Sequence, residues 1–385
     1  MFAILHGVAV ASGALRWRLA DEDQVGALFP DETAVQRHVG TGAYQGLEFL
    51  HVNARTIINA VPPASNMPFR YTINAYRGCS HACTYCFARP THEYLGLGTG
   101  EDFERRIVVK VNAVERVRAE LRSPKWAGDH IAMGTNTDPY QAAEGKYHLT
   151  KGVIAALSEA RNPFSILTKS TLVLRDLKAL AEAASRTSVH LNFSIGTLDR
   201  EVWRLTEPGT PPPDKRVQAV RRLNEAGVPC GVLVAPVLPG LSDDESQLRE
   251  VVEACAAAGA ISITPVSLHL RPGVREHFMT WLAEHRPDLL PQYRRRFARG
   301  SYQSKSDQKR TALAVSRFAA EARATVACGP VRAGSPFGHA PSSPSPAERG
   351  DDEATNPAGD DEWARRLARH PSAAATPGGE QLRLL

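Results

Sequence analysis

A chain of 385 residues, 43% hydrophobic and 23% charged, is long enough for one large domain with appendages or for two domains. Six cysteines are too few for a disulfide scaffold of this length, and no run approaches the ~18 apolar residues of a membrane-spanning helix. The net charge of +5 is unevenly spread, positive to about residue 330 and negative beyond it, which points to an anionic partner for the larger part.

Residues 1–15 are mildly apolar without an early basic stretch, which makes a poor signal peptide. Charged, patterned sequence starts at Arg16-Trp17, and a native start near there is expected. Residues 1–65 read as an irregular lead-in without a long helix. From Phe69 the pattern becomes strand, loop, helix, repeated. Residues 70–76 alternate as a strand and feed a loop with three cysteines. Residues 107–111 read as a short strand before a helix over 112–121. A strand over 130–134 ends in Gly134-Thr135-Asn136-Thr137-Asp138 and precedes a helix over 150–160. Strand 164–168, helix 175–184, strand 189–195 and helix 215–226 follow. Strand 230–237, helix 243–258, strand 260–270 and helix 274–285 complete the series.

Short apolar strands alternating with amphipathic helices build a parallel sheet. The expected fold class is α/β, a partial (β/α)6 barrel of the TIM type over 66–286, with its chemistry at the carboxyl ends of the strands. Residues 287–330 read as a basic helical segment. Residues 331–385 are rich in Pro, Ser, Ala, Gly and acidic residues and are expected to be a disordered tail, with a short helix near 363–368.

The loop after the first strand reads Cys79-Ser80-His81-Ala82-Cys83-Thr84-Tyr85-Cys86, a C-x3-C-x2-C spacing. Three thiolates can hold three irons of a [4Fe–4S] cluster and leave the fourth open to a small molecule. Zinc is the alternative. It needs a fourth ligand and usually a second two-ligand knuckle; His81 and His92 are nearby, but no second knuckle follows. Cys230, Cys255 and Cys328 lie among apolar or small residues and read as buried structural thiols. Unpaired thiols and an oxygen-sensitive cluster fit the cytoplasm.

Over 69–287 these residues resemble the radical S-adenosylmethionine (radical SAM) superfamily, and within it the spore photoproduct lyases and related "DNA repair photolyase"-type proteins. The resemblance lies in blocks that occur in order: Asn74 through Cys86 continuing to Tyr94, Gly134 through Gln141, Leu167-Thr168-Lys169, Phe193-Ser194-Ile195, Glu207 through Arg216, and Val234 through Val237. It implies reductive cleavage of S-adenosylmethionine to a 5′-deoxyadenosyl radical that abstracts hydrogen from a C–H bond. It also implies a low-potential electron donor of the flavodoxin or ferredoxin type. Cys79, Cys83 and Cys86 would ligate the cluster, and Tyr85 and Phe87 would lie near the adenine. Lys169 and Ser194 match positions that hold the methionine carboxylate. Asn136 and Asp138, at the mouth, are candidates for the amino group, the ribose or the substrate, with a turn-forming role as the alternative. Glu207 and Arg216 read as a structural pair, and His269 and Arg271 as substrate-side candidates. The spore enzymes carry a hydrogen-donating cysteine on the second strand, where this chain has Thr135. A threonine O–H bond is too strong for that role, so spore-lesion repair by the same route is not expected; Tyr140 and Cys230 are other candidates.

Within 286–323 the basic run Arg294-Arg295-Arg296, Arg299, Lys305, Lys309 and Arg310 is interleaved with Tyr293, Phe297 and Tyr302. Cations for phosphates and rings for stacked bases make nucleic acid the expected partner, with a solvated helix face as the alternative. The terminal Gln381-Leu382-Arg383-Leu384-Leu385 resembles the peptide by which bacterial repair proteins dock on the sliding clamp. The expected function is a radical SAM enzyme acting on nucleic acid. Modification of RNA or a small metabolite, or an iron–sulfur sensing module without SAM turnover, are the alternatives.

Overall fold

The structure, a computed structural model, describes residues 35–62, 65 and 67–328, the last four without their side chains. Its strands are β1 (Gln36–Val39), β2 (Glu48–Val52), β3 (Ile58–Ala60), β4 (Tyr71–Ile73), β5 (Tyr76–Arg77) and β6 (Arg106–Lys110). They continue as β7 (Ile131–Met133), β8 (Phe164–Thr168), β9 (Val189–Ser194), β10 (Cys230–Val237) and β11 (Ile263–Ser267). The helices are α1 (Glu101–Arg105), α2 (Ala113–Leu121), α3 (Ala142–Tyr147), α4 (Leu149–Glu159), α5 (Leu177–Arg186) and α6 (Arg200–Thr206). They end with α7 (Pro213–Glu225), α8 (Glu245–Ala257), α9 (Val274–His285), α10 (Leu290–Arg296) and α11 (Lys305–Cys328).

The larger sheet runs β11-β10-β9-β8-β7-β4-β3. Six of its strands are parallel, and β3 adds antiparallel to the edge at β4. This is the partial six-stranded βα barrel expected from the sequence. Along each strand one set of alternate residues faces the helices: Ile131, Phe164, Ile166, Leu191, Phe193, Cys230, Val232 and Val234 are all nearly solvent-free. The other set faces the inner side, where Asn192 is half-buried and Thr264 exposed. Two-fold periodicity therefore places apolar mass under the helices and a mixture of polar and apolar groups, Leu167 and Leu233 included, inside.

A second, four-stranded sheet runs β1-β2-β6-β5. This corrects the expectation of an irregular lead-in: residues 36–60 supply three strands. Strand β1 is exposed along its whole length and β3 is three residues long, so neither carries an apolar period that sequence reading could detect. The expected single strand over 70–76 is also divided. The chain leaves the large sheet after Ile73, crosses at Asn74-Ala75 and enters the small sheet at Tyr76. The cysteine loop is thus suspended between two sheets. Residues 287–328 are mainly helical as expected, with a non-helical connection over 297–304 between α10 and α11. Helix α11 lies on α8, with Arg249 4.1 Å from the ring centroid of Phe318 and ion-paired to Glu321 at 2.6 Å. The native-start expectation at Arg16, the 331–385 tail, its 363–368 helix and the Gln381–Leu385 peptide lie outside the described residues.

Candidate active site

The cysteine loop is held by backbone contacts on every side. Gly78 has φ +78°, and a Cβ there would sit 2.8 Å from both the Phe103 carbonyl oxygen and the His92 ring. Cys79 N–H donates to that same Phe103 oxygen at 2.8 Å. Gln141 accepts from Ser80 N–H at 3.0 Å and donates to the Gly78 carbonyl at 2.9 Å. From the far side, Gly209 N–H donates to the His81 carbonyl at 3.0 Å, and a Cβ on Gly209 would meet the Ser80 carbonyl at 2.2 Å. Arg89 is fully buried. Its Nε and Nη2 donate to the Cys83 carbonyl at 3.1 and 2.9 Å, and its Nη1 donates to Thr99 O at 2.9 Å. Nη2 also pairs with Glu104 at 2.5 Å.

All three loop cysteines are free thiols; Cys79 and Cys83 are buried and Cys86 half-buried. Burial pushes the Cys83 thiol well up, and Glu207, Cys86 and Cys79 add to it against the pull of Lys169. Burial, then Cys79, likewise raises Cys86. Three crowded thiols, two of them pushed up by burial, are the donor set that a bound cationic cluster would ionise, so the residues fit an iron–sulfur cluster. No three His, Cys, Asp or Glu side chains among the described residues converge on a single metal ion. A cluster asks each thiolate to reach its own iron instead.

Facing this loop are the carboxyl ends of β8 and β9. Lys169 Nζ donates to Ser194 Oγ at 2.7 Å, and Ser194 Oγ donates to the Ala235 carbonyl at 2.7 Å. Lys169 also lies 5.6 Å from the centroid of the Tyr85 ring. The Tyr85 hydroxyl donates to Glu207, which pairs with Arg216 at 2.5 Å and approaches Lys169 at 4.0 Å. Burial alone would raise the Glu207 carboxyl, yet Arg216 and Lys169 hold it below the usual carboxylate range. One carboxylate thus faces two cations. Arg216 is in tight contact with it and Lys169 only in loose contact, which leaves positive charge at Lys169 for an incoming anion.

The remaining sequence candidates separate. Asp138 is nearly buried, and its carboxylate accepts from Thr168 Oγ1 (2.7 Å), Lys169 N–H (2.7 Å) and Tyr140 N–H (2.8 Å), with His81 Nδ1 at 3.4 Å. Those four contacts fill its lone pairs and tie the cysteine loop to the Lys169 strand end. Asn136 is exposed, and only its backbone N–H is engaged, donating to Asn74 Oδ1 at 3.2 Å. Phe87 is 44% exposed beside the loop. Thr135 exchanges contacts with Asn74. Tyr140 and Cys230 are corrected as hydrogen donors: both are in the core under the helices, and Cys230 is pushed up to about 12 by burial and then by Cys255. Of the interleaved aromatics, Tyr293 and Phe297 are buried and pack with Phe278, so only Tyr302 faces solvent. Arg89 and Gln141 stand inside the motif blocks, but sequence reading gave them no role. Both act on backbone carbonyls or N–H groups, which leave no signature in a side-chain pattern.

The family model of the radical SAM superfamily matches residues 73–252. An uncharacterised protein of Mycobacterium tuberculosis is 48% identical over 266 residues, covering 69% of this chain and 78% of the relative. A variant of spore photoproduct lyase has a similar fold, with TM-score 0.53 and 21% identity over 71% of this chain and 79% of that one. Another variant, solved with bound AdoMet and dinucleoside spore photoproduct, matches with TM-score 0.51 and 20% identity over the same shares.

Proposed function

This chain belongs to the radical SAM superfamily, and from that premise we propose that it is an enzyme acting on nucleic acid, with a nucleobase as the reacting group. Its cofactors are the superfamily's: a [4Fe–4S] cluster and S-adenosylmethionine. When bound, they supply a 5′-deoxyadenosyl radical able to take hydrogen from an unactivated C–H bond. The observation that carries the reading is the loop of three thiols set against Lys169 and Ser194 on adjacent strand ends.

In this proposal Cys79, Cys83 and Cys86 hold the irons, and Arg89 and Gln141 fix the loop. Lys169 gives its spare charge, and Ser194 a hydroxyl, to the methionine carboxylate. Tyr85 and Phe87 flank the adenine, and Asn136 reaches the amino group or ribose. Asp138 is a positioning residue, since its own chain already satisfies it. The neutral groups of the inner sheet face, Asn192 and Thr264 among them, suit the edge of a base. The dinucleoside photoproduct bound by a protein of like fold supports the same substrate class. A protein thiol that returns hydrogen is not part of the proposal, because Cys230 and Cys255 are buried away from this face. A flavodoxin- or ferredoxin-type donor would supply electrons, in the cytoplasm.

The test is 5′-deoxyadenosine formation by reduced, cluster-loaded protein with ultraviolet-damaged DNA, undamaged DNA, RNA, or no polynucleotide. Faster formation with a DNA sample, and deuterium transfer from labelled DNA into the product, are expected. Equal rates in all four would move the substrate to another class.

A further inference from the structure

At the carboxyl end of β11, His269 lies against Tyr302 with ring centroids 4.2 Å apart and planes 1° from parallel. Tyr302 is 49% exposed although one face is covered by His269, so its other face is open. The ring is held firmly. Leu270 N–H donates to the Ser301 carbonyl at 2.8 Å, Arg275 donates to the Gly300 carbonyl, and Gln303 takes a bond from Arg296 at 3.2 Å. Burial, with Arg271 beside it, lowers His269 below the ordinary imidazole value.

Nearby in sequence stand Arg294, Arg295, Arg299, Lys305 and Lys309, all exposed and none ion-paired among the described residues. Arg296 and Arg310, by contrast, are neutralised by Asp243 and Asp307. Since β8, β9 and β11 run parallel, this rim is the one that carries Lys169 and Ser194. Leu268 and Leu270, flanking His269, pack in the same apolar cluster as Cys83 and Tyr85.

Unpaired cations attract phosphates of any sequence, whereas an open aromatic face needs a base whose own face is free. In a duplex the bases are paired and stacked on one another; in a single strand stacking is partial, so a base face is freed more readily. We propose that His269 and Tyr302 form a platform on which an unpaired base stacks, while Arg294, Arg295, Arg299 and Lys305 hold the phosphates of the same strand. The polynucleotide is therefore engaged as a single strand or a locally opened duplex. This deepens the nucleic-acid reading above and rests on it.

The test is fluorescence anisotropy of the cluster-loaded chain with a labelled oligothymidylate and with the same strand in a duplex, across a salt series. Tyr302→Ala is expected to weaken single-strand binding about tenfold. It should leave duplex binding and the salt slope unchanged, and Tyr302→Phe should bind as the parent does. Arg294→Ala with Arg299→Ala should lower the slope of log affinity against log salt by about 1.4 for the single strand. Tyr302 is exposed, so iron content and Tm should not move. Parent-like binding by Tyr302→Ala overturns the platform alone. If the parent binds neither strand nor duplex, the nucleic-acid reading falls and the platform with it.

Discussion

Arg89 is the most heavily engaged residue of the site and has the least visible sequence signature. Its guanidinium fills a solvent-free space with donors on Cys83 O, Thr99 O and Glu104. Arg89→Met removes those donors and leaves the Cys83 carbonyl with only the Cys86 N–H, at 3.2 Å, a loss on the order of 1–3 kcal/mol for the hydrogen bonds given up. Iron per chain after reconstitution is expected to fall severalfold, with Arg89→Lys intermediate because it keeps the charge but not the planar fork. Full iron content in Arg89→Met would remove the positioning role. Lys169 is the converse case, legible as a motif residue and now seen beside Ser194. Lys169→Met should weaken SAM binding about tenfold or more, as loss of a charge-assisted contact does, and Ser194→Ala by less. Calorimetry on cluster-loaded protein checks both, and unchanged affinity in Lys169→Met would place the carboxylate elsewhere. What sequence conveys at this scale is chemistry carried by side chains. Contacts to main-chain oxygens, as for Arg89 and Gln141, depend on where the chain folds back and are silent.

At the scale of elements, the strands over 164–168 and 230–237 were legible because each is an apolar run with turns on both sides. Of the small sheet only β6 was, for β1 is wholly exposed and β5 is two residues long. That sheet also contains an electrostatic oddity. Lys110 ends β6 with 1% of its surface exposed, and its pKa is brought down to about 7, by burial first and then by Arg77, against a weaker pull from Glu120. An unfolded lysine titrates near 10.4. Between about pH 7 and that value the unfolded chain holds a proton that the folded chain has released, so stability rises with pH across this window. At pH 7 and below, the folded state carries most or all of the cost. Urea unfolding is therefore expected to show higher stability at about pH 9 than at about pH 7. Lys110→Met should raise stability at the lower pH and reduce the difference. A variant with the parent's pH dependence would show that Lys110 is not its source.

The molecule as a whole joins a six-stranded parallel sheet, a small supporting sheet and a helical flank, with the three thiols where the two sheets meet. The order of the βα units, the cysteine loop and the basic flank could all be read from sequence. The division of the flank's aromatics into core and surface could not, since Tyr293, Phe297 and Tyr302 look alike until α10 buries the first two. In the proposed reading the parts converge on one chemistry: a loop for iron, a cation and a hydroxyl for a carboxylate, and an inner face that includes the neutral polar groups Asn192 and Thr264. The most direct measurement is anaerobic incubation of the reconstituted chain with dithionite and S-adenosylmethionine, with and without DNA, assayed for 5′-deoxyadenosine by mass spectrometry beside Cys83→Ala. Product that appears in the parent and is lost in Cys83→Ala is the expected result. A fully loaded cluster that yields none under either condition would contradict the account and leave an iron–sulfur protein without SAM turnover.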